Sequence, residues 1–191
     1  MNKSTLKTDI IPVLFLTIVV CVSVIALSLT NGFTEGKIAD AKENEVKLSL
    51  QGLFTEMDDF EYDDNLEVYT ILSENSVVGY AFNVVGKGYG GDIEIIVGIE
   101  KTTLEEDDVV LRGISIVSHS ETPGLGEKIV KDAFYDQFKG VNINDVSLSK
   151  DGGSIDAISG ATISSLAVTT AVHDRVIEKI ELIRKNLLME V

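Results

Sequence analysis

The sequence predicts an α+β fold: an antiparallel-rich sheet with covering helices, carried on a single N-terminal transmembrane helix. Three observations predict it. An uncharged apolar run stands near the N-terminus, short β-branched segments separated by turn residues fill the middle, and helical periodicity closes the chain. A run of strands followed by helices points to an α+β domain rather than to alternating parallel units.

Residues Ile10 to Leu29 are apolar apart from Thr17, Ser23 and Ser28, carry no charge, and are about long enough to cross a bilayer core. Lys3 and Lys7 precede this run, and Thr30 to Phe33 after it carry no charge, so the positive-inside rule leaves the N-terminus in the cytoplasm and the rest outside. A cleaved signal peptide is the competing reading, with Ala26-Leu27-Ser28 as its small-residue site. The apolar run is longer than the usual signal core, which favours an anchor. Cys21 follows the bulky Val20 and reads as a small apolar membrane residue, not a lipid-attachment site. As the lone cysteine, it excludes a disulfide framework and a thiolate metal site.

The chain divides into a cytoplasmic N-terminus (1–9), the anchor (10–29), a helical linker with an acidic loop (30–65) and an extracytoplasmic domain (66–191). Within the linker, Ile38 to about Leu53 reads as a helix. Glu56 to Asp64 reads as a solvated loop, because no turn glycine spaces its carboxylates as a calcium loop requires. Strands are expected over Leu66–Leu72, Val77–Val85, Ile93–Ile99, Leu111–Val117 and Val146–Leu148.

Between two of these strands, Gly86-Lys87-Gly88-Tyr89-Gly90-Gly91 satisfies the Gly-x-Gly-x-x-Gly pattern of dinucleotide sites. Such a fingerprint must open a helix, whereas Asp92 to Ile99 is rich in β-branched residues, so the segment is a glycine-rich hairpin. After the strand ending at Val117, Pro123-Gly124 breaks the chain. A helix over about Glu127–Phe138 follows, with Ile129, Val130, Ala133, Phe134 and Phe138 on one face. The loop between them is a strand-to-helix turn, where rigid elements present a few residues to a ligand.

The last helix, about Ile163–Leu188, follows from Val168, Val172, Val176, Ile180, Ile183 and Leu187, spaced three or four apart. Thr162 then falls in its first turn, where unpaired N–H groups and the helix dipole favour an anion. A plain Ser/Thr cap is the alternative role for that residue.

Composition narrows the function classes. With 16 basic and 31 acidic residues the net charge is −15, which disfavours nucleic acid and anionic lipid surfaces as partners. No GxSxG elbow, Walker loop or His-x-x-x-His pair supplies a hydrolytic nucleophile or base. The two histidines, His119 and His173, stand far apart in sequence.

Three segments resemble one family. Asp156-Ala157-Ile158-Ser159-Gly160-Ala161-Thr162 resembles the Asp-x-x-Ser/Thr-Gly-Ala-Thr signature of the FMN-binding domain. That domain is shared by the G subunit of Rnf-type ferredoxin:NAD oxidoreductases and the C subunit of sodium-translocating NADH:quinone reductases. His119-Ser120-Glu121-Thr122-Pro123-Gly124-Leu125-Gly126 is similar to the family's His-x-Glu-Thr-Pro-Gly-Leu-Gly loop, and Gly88-Tyr89-Gly90-Gly91 to its Gly-Tyr-Gly-Gly turn.

The resemblance implies an FMN esterified through its phosphate to the Thr162 hydroxyl by a flavin transferase, making the chain a phosphoprotein in the chemical sense. Asp156, Ser159, Gly160 and Ala161 would form the recognition segment. Glu121, Thr122, Leu125 and Gly126 would line the flavin pocket, and Tyr89 would lie near the isoalloxazine ring or stand as an exposed turn tyrosine. It further implies a redox subunit in the cell membrane, without catalysis of its own, relaying electrons among the other membrane subunits of an ion-translocating complex. The short chain favours the Rnf-type family member over the quinone-reductase one. A membrane-anchored flavin-binding regulatory domain and a non-flavin adhesion or scaffold domain stand as alternatives. The span holds no carboxylate, so the protein is not expected to conduct the coupling ion itself.

Overall fold

The computed structural model describes residues 3–104 and 108–189, with side chains over 11–29, 41–104 and 108–186. The side chains of Lys3 and Lys7, on which the membrane orientation rests, lie outside the described residues, as does that of Leu187. The chain forms two compact units, Met1–Asn44 and Glu45–Val191.

Helix α1 is assigned over Lys3–Leu53, so the apolar run and the helix expected from Ile38 are one element. Its segment Ile11–Leu29 has a mean hydropathy of 2.7 and no burial within the protein, and among the described residues it alone is long and apolar enough to cross a membrane. Two of its polar residues find partners within the helix. Thr17 Oγ1 donates to the Val13 carbonyl at 2.9 Å and Ser23 Oγ to the Val19 carbonyl at 2.8 Å, one turn back.

The second unit is built on five antiparallel strands in sequence order: β1 (Asp59–Asp63), β2 (Val68–Ser73), β3 (Ser76–Lys87), β4 (Asp92–Glu100) and β5 (Leu111–His119). Both faces of this sheet are covered. Helix α3 (Thr162–Met189) lays Val168, Val172, Val176, Ile180 and Ile183 against Phe82, Val84, Ile93, Ile95 and Val97. On the opposite face, Leu50 from the last turns of α1 and Phe54 just beyond it pack on Ile71, Ala81 and Ile96. Double coverage explains why β4 reads as an almost continuous apolar run, since residues on either side of the pleat are buried.

Two glycines on the α1 side of the sheet leave the space that the Phe54 ring fills. A Cβ at Gly79 would stand 2.5 Å from that ring, and one at Gly98 would stand 2.9 Å away. Arg112 holds the junction. Its Nε donates to the Leu53 carbonyl at 3.2 Å, satisfying an end-of-helix acceptor. Nη2 donates to both Glu56 oxygens at 2.6 and 2.7 Å, and the guanidinium lies 5.6 Å from the Phe54 ring centroid.

Three expectations are corrected. The acidic stretch Glu56–Asp64 is not a solvated loop throughout, because Asp59–Asp63 pairs with β2 as an edge strand. Charges at Asp59, Glu61 and Asp63 alternate with Phe60 and Tyr62, which contact Tyr69 at centroid distances of 5.8 and 4.6 Å. The carboxylates also discourage edge-to-edge pairing. The helix expected over Glu127–Phe138 is broken into a 3-10 turn (Gly126–Val130), a short α2 (Asp132–Tyr135) and a further 3-10 turn (Asp136–Phe138), because Lys131 is extended. Its apolar residues Ile129, Phe134 and Phe138 are buried all the same. Val146–Leu148 is no strand; a single bridge between Leu148 and Ile155 remains, flanked by 3-10 turns.

Strand β2 begins at Val68 rather than Leu66 for a local reason. Asp63 Oδ1 accepts from the backbone N–H of Asn65 (2.8 Å) and Leu66 (3.1 Å), closing a turn. The buried Lys179 of α3 pins that turn through the Leu66 carbonyl and Glu67.

Phe54 is 1% exposed and fills the space left by two glycines. Phe54→Ala is therefore expected to cost about 3–5 kcal/mol, read from the denaturant midpoint of the purified chain. A loss below about 1 kcal/mol would show that the surrounding side chains collapse into the space.

A glycine-lined cradle at the start of the last helix

The ends of β3, β4 and β5 bring three loops to one edge of the domain. Lys87 pairs with Asp92 across the hairpin, and Ile93 pairs with His119, so the turn Gly88–Gly91 lies beside the segment leaving β5. Gly88 N donates to the Gly91 carbonyl at 2.9 Å and closes the turn.

Glu121 joins these loops. It is 5% exposed, which excludes a solvated turn residue, and both carboxylate oxygens are engaged. Oε1 accepts from the Gly90 N–H at 3.0 Å, and Oε2 accepts from the buried Ser164 hydroxyl at 2.6 Å. A buried carboxylate is costly without such donors. The approach is close enough to require glycine on two sides. A Cβ at Gly88 would fall 2.0 Å from Oε1, and one at Gly126 would fall 2.3 Å from Oε2. His119 supports the loop differently: its Nδ1 accepts from the Glu121 N–H at 3.2 Å, which puts the proton of the neutral ring on Nε2.

Beyond Glu121 the chain turns at Pro123-Gly124, with Gly124 in the left-handed region (φ +75°). The Thr122 carbonyl accepts from the N–H groups of Leu125 and Glu127, both at 3.2 Å, and Gly124 N donates to Glu127 Oε2 at 2.9 Å. This closed loop leaves Leu125 46% exposed.

The segment entering α3 is fixed residue by residue. The Asp156 N–H donates to Gln137 Oε1 and its carboxylate accepts from Ser149 Oγ, each at 2.7 Å. Gly160 is left-handed (φ +80°), and a Cβ there would lie 3.3 Å from Leu125 Cδ2. Ser159 is exposed and Ala161 is buried. The Ala161 carbonyl accepts the first helical hydrogen bond, from Ser165 N at 3.0 Å. Ala161 is therefore the N-cap, and it has no polar side chain to offer.

Thr162 is thus one residue inside the cap rather than the cap itself, and it is exposed. The first N–H groups of a 28-residue helix face the same end without a capping side chain. The buried Ser165 serves the loop instead, accepting from the Ile158 N–H at 3.0 Å and donating to the Ala161 carbonyl at 3.0 Å.

The structure therefore joins Glu121, Gly126 and the first turn of α3, and sets Leu125 against Gly160. Thr122 is exposed and contributes its carbonyl to the loop. Tyr89, between two glycines of the turn, is 73% exposed, as befits a turn tyrosine with its ring free. Ser164 was missed as a site residue, since no spacing in the sequence relates it to Glu121. Leu125, Tyr89 and Ile163, the last 56% exposed, place apolar surface at an otherwise polar edge. An exposed hydroxyl, uncapped helix N–H groups and apolar side chains suit a ligand with a phosphate at one end and a flat ring at the other.

An FMN-binding domain family matches residues 88–176, a span that opens at the glycine turn and ends on α3 past Thr162. The G subunit of the ion-translocating oxidoreductase complex of Methanosarcina acetivorans is 33% identical over 187 residues, covering 92% of this chain and 96% of that one. The G subunit of the Na⁺-translocating ferredoxin:NAD⁺ oxidoreductase complex of Acetobacterium woodii is 31% identical, covering 84% of this chain and 86% of its own. The proton-translocating counterpart from Clostridium ljungdahlii is 39% identical over 111 residues, or 56% of this chain and 57% of its own.

The closeness of Gly88 to Glu121 makes a direct test of the cradle. Gly88→Ala is expected to destabilise the domain by about 1–3 kcal/mol and to speed hydrogen exchange of the Gly90 amide. Exchange at the wild-type rate would mean that the turn absorbs the methyl without releasing the carboxylate.

Proposed function

The chain belongs to the G-subunit family of ion-translocating oxidoreductase complexes, and from that premise we propose that it is the electron-relaying flavoprotein subunit of such a complex, with FMN held covalently on Thr162. The observation that carries the reading is the position of Thr162. It presents an exposed hydroxyl in the first turn of α3, behind an alanine cap, at the end of the Asp156–Thr162 segment.

The competing hydroxyls are less suited. Ser164 and Ser165 are buried and hydrogen-bonded, which leaves Ser159 as the exposed rival within the segment. On attachment, a flavin transferase would use a pyrophosphate-linked flavin dinucleotide as donor. The Thr162 oxygen would lose its proton and bond to the flavin-side phosphorus while the P–O bond of the pyrophosphate breaks and the nucleoside monophosphate leaves, giving a phosphodiester. The remaining negative charge then sits at the positive end of the α3 dipole, an arrangement worth about 0.3–1 kcal/mol. Gly160 and Ala161 keep side-chain bulk away from the transferase and the phosphate.

FMN supplies one- and two-electron redox chemistry when bound, and the protein's part is to place it and set its surroundings. Leu125 and Ile163 would offer apolar contact to the ring, and Thr122, Gly126 and Tyr89 would complete the wall on the loop side. Covalent retention suits a domain on the outer face of the membrane, where a dissociated cofactor would be lost. The relatives' names specify different coupling ions, and the span of this chain holds no carboxylate. We assign ion movement to the membrane partner proteins of the complex and electron relay to this one.

Thr162→Ala and Thr162→Val are expected to abolish covalent flavin, seen as loss of in-gel fluorescence and of the FMN increment in intact mass. The Thr162 side chain is exposed, so stability should change by no more than about 0.5 kcal/mol. Flavin mapped by peptide analysis to Ser159 would move the attachment site.

For orientation, protease added to protoplasts is expected to digest the domain while the apolar helix stays with the membrane. Full protection of the domain would reverse the topology, and a mature N-terminus near Leu29 would replace the anchor by a cleaved signal.

A further inference from the structure

Glu121 is buried with one oxygen on the Gly90 N–H and the other on the Ser164 hydroxyl, so little of its carboxylate is left for a ligand to touch. Its partners nevertheless lie on the two structures that must cooperate if Thr162 carries a flavin. Gly90 belongs to the turn on the ring side, and Ser164 lies two residues after the attachment point, on the same helical turn. The Ser164 side chain is itself 2% exposed, and a Cβ at Gly126 would stand 2.7 Å from its Oγ. The hydroxyl therefore has one place to be.

We propose that Ser164 is a positioning residue: its hydrogen bond to Glu121 latches the first turn of α3 to the ring-side loops and thereby fixes the orientation of a flavin tethered at Thr162. Glu121 acts in this arrangement through Ser164 and Gly90, not by touching the ring. The assignment rests on the attachment at Thr162 proposed above. A tethered ring has many orientations open to it around the phosphoester and ribityl bonds. A rigid relation between tether and wall removes most of them.

The latch separates from the charge of Glu121 by choice of variant. Ser164→Ala removes the donor and leaves the carboxylate. Glu121→Gln removes the charge but keeps an acceptor for the Gly90 N–H and an amide that can donate to Ser164 Oγ. In the flavinylated full-length protein, Ser164→Ala is expected to retain covalent FMN at wild-type stoichiometry. It should lose most of the visible circular dichroism of the flavin and expose it to iodide quenching. Glu121→Ala should do the same, and adding Ser164→Ala to it should cause no further loss, because the Ser164–Glu121 hydrogen bond is already gone, along with the acceptor for the Gly90 N–H. Glu121→Gln should preserve the dichroism.

Hydrogen exchange at Gly90 gives a readout that needs no flavin. Ser164→Ala should accelerate it by about tenfold or more, in keeping with loss of a hydrogen bond to a charged group. Unchanged dichroism, quenching and exchange in Ser164→Ala would overturn the latch, as would additive losses in the double variant. Absence of covalent flavin from the wild-type protein would instead overturn the functional reading, and Gly90 exchange would still decide the latch.

Discussion

A carboxylate buried beneath the loops at the end of a sheet is the constraint around which this domain's working edge is organised. Removing a carboxylate from water costs several kcal/mol unless strong donors replace the lost hydration. Glu121 obtains one donor from a backbone N–H in the glycine turn and another from a hydroxyl on α3. Those requirements explain residues that otherwise look unrelated. Gly88 and Gly126 are small because a Cβ would collide with the carboxylate, and Gly90 is small because one would strike the Ser120 carbonyl at 2.0 Å.

The sheet supports this edge by being fixed on both faces. Helix α3 approaches β3 so closely that a Cβ at Gly86 would stand 2.7 Å from the Ala167 carbonyl. On the other face, Phe54 lies against Gly79 and Gly98 while Arg112 ties together Leu53, Glu56 and Glu100. Thr162, the attachment residue we propose, thus stands on a long helix docked to a rigid sheet, and apolar residues stand on the loops. Placement of a covalent group on a regular element gives it a defined origin, whereas loops supply adaptable walls.

Of the basic residues, several are spent inside the domain: Arg112 on the α1 end, Arg175 and Lys179 on Glu67, and Arg184 on the Leu104 carbonyl. The chain as a whole carries a net charge of −15. A field of that sign favours basic faces on partner proteins and repels anionic surfaces and nucleic acid. An electron carrier that must meet its partners in one orientation gains from such steering.

By itself the sequence determined the apolar span, four of the five strands, the long last helix, and the place of Thr162 in that helix's first turn. Each of these is a periodicity or a local signal, since alternation marks a pleat and three-to-four spacing marks a helical face. The edge strand Asp59–Asp63 was hidden because its alternating partners to Phe60 and Tyr62 are charges, which resemble a solvated loop. The segment Gly126–Phe138 kept its buried face without being one helix, because burial spacing does not fix which carbonyl each N–H meets. The contact between Glu121 and Ser164 was decided by the tertiary structure alone. They are 43 residues apart, and only the pairing of β3, β4 and β5 with α3 brings their oxygen atoms within 2.6 Å. Side-chain spacing along one element carries no information about hydrogen bonds between loops, whose geometry exists only once the sheet and helix are packed.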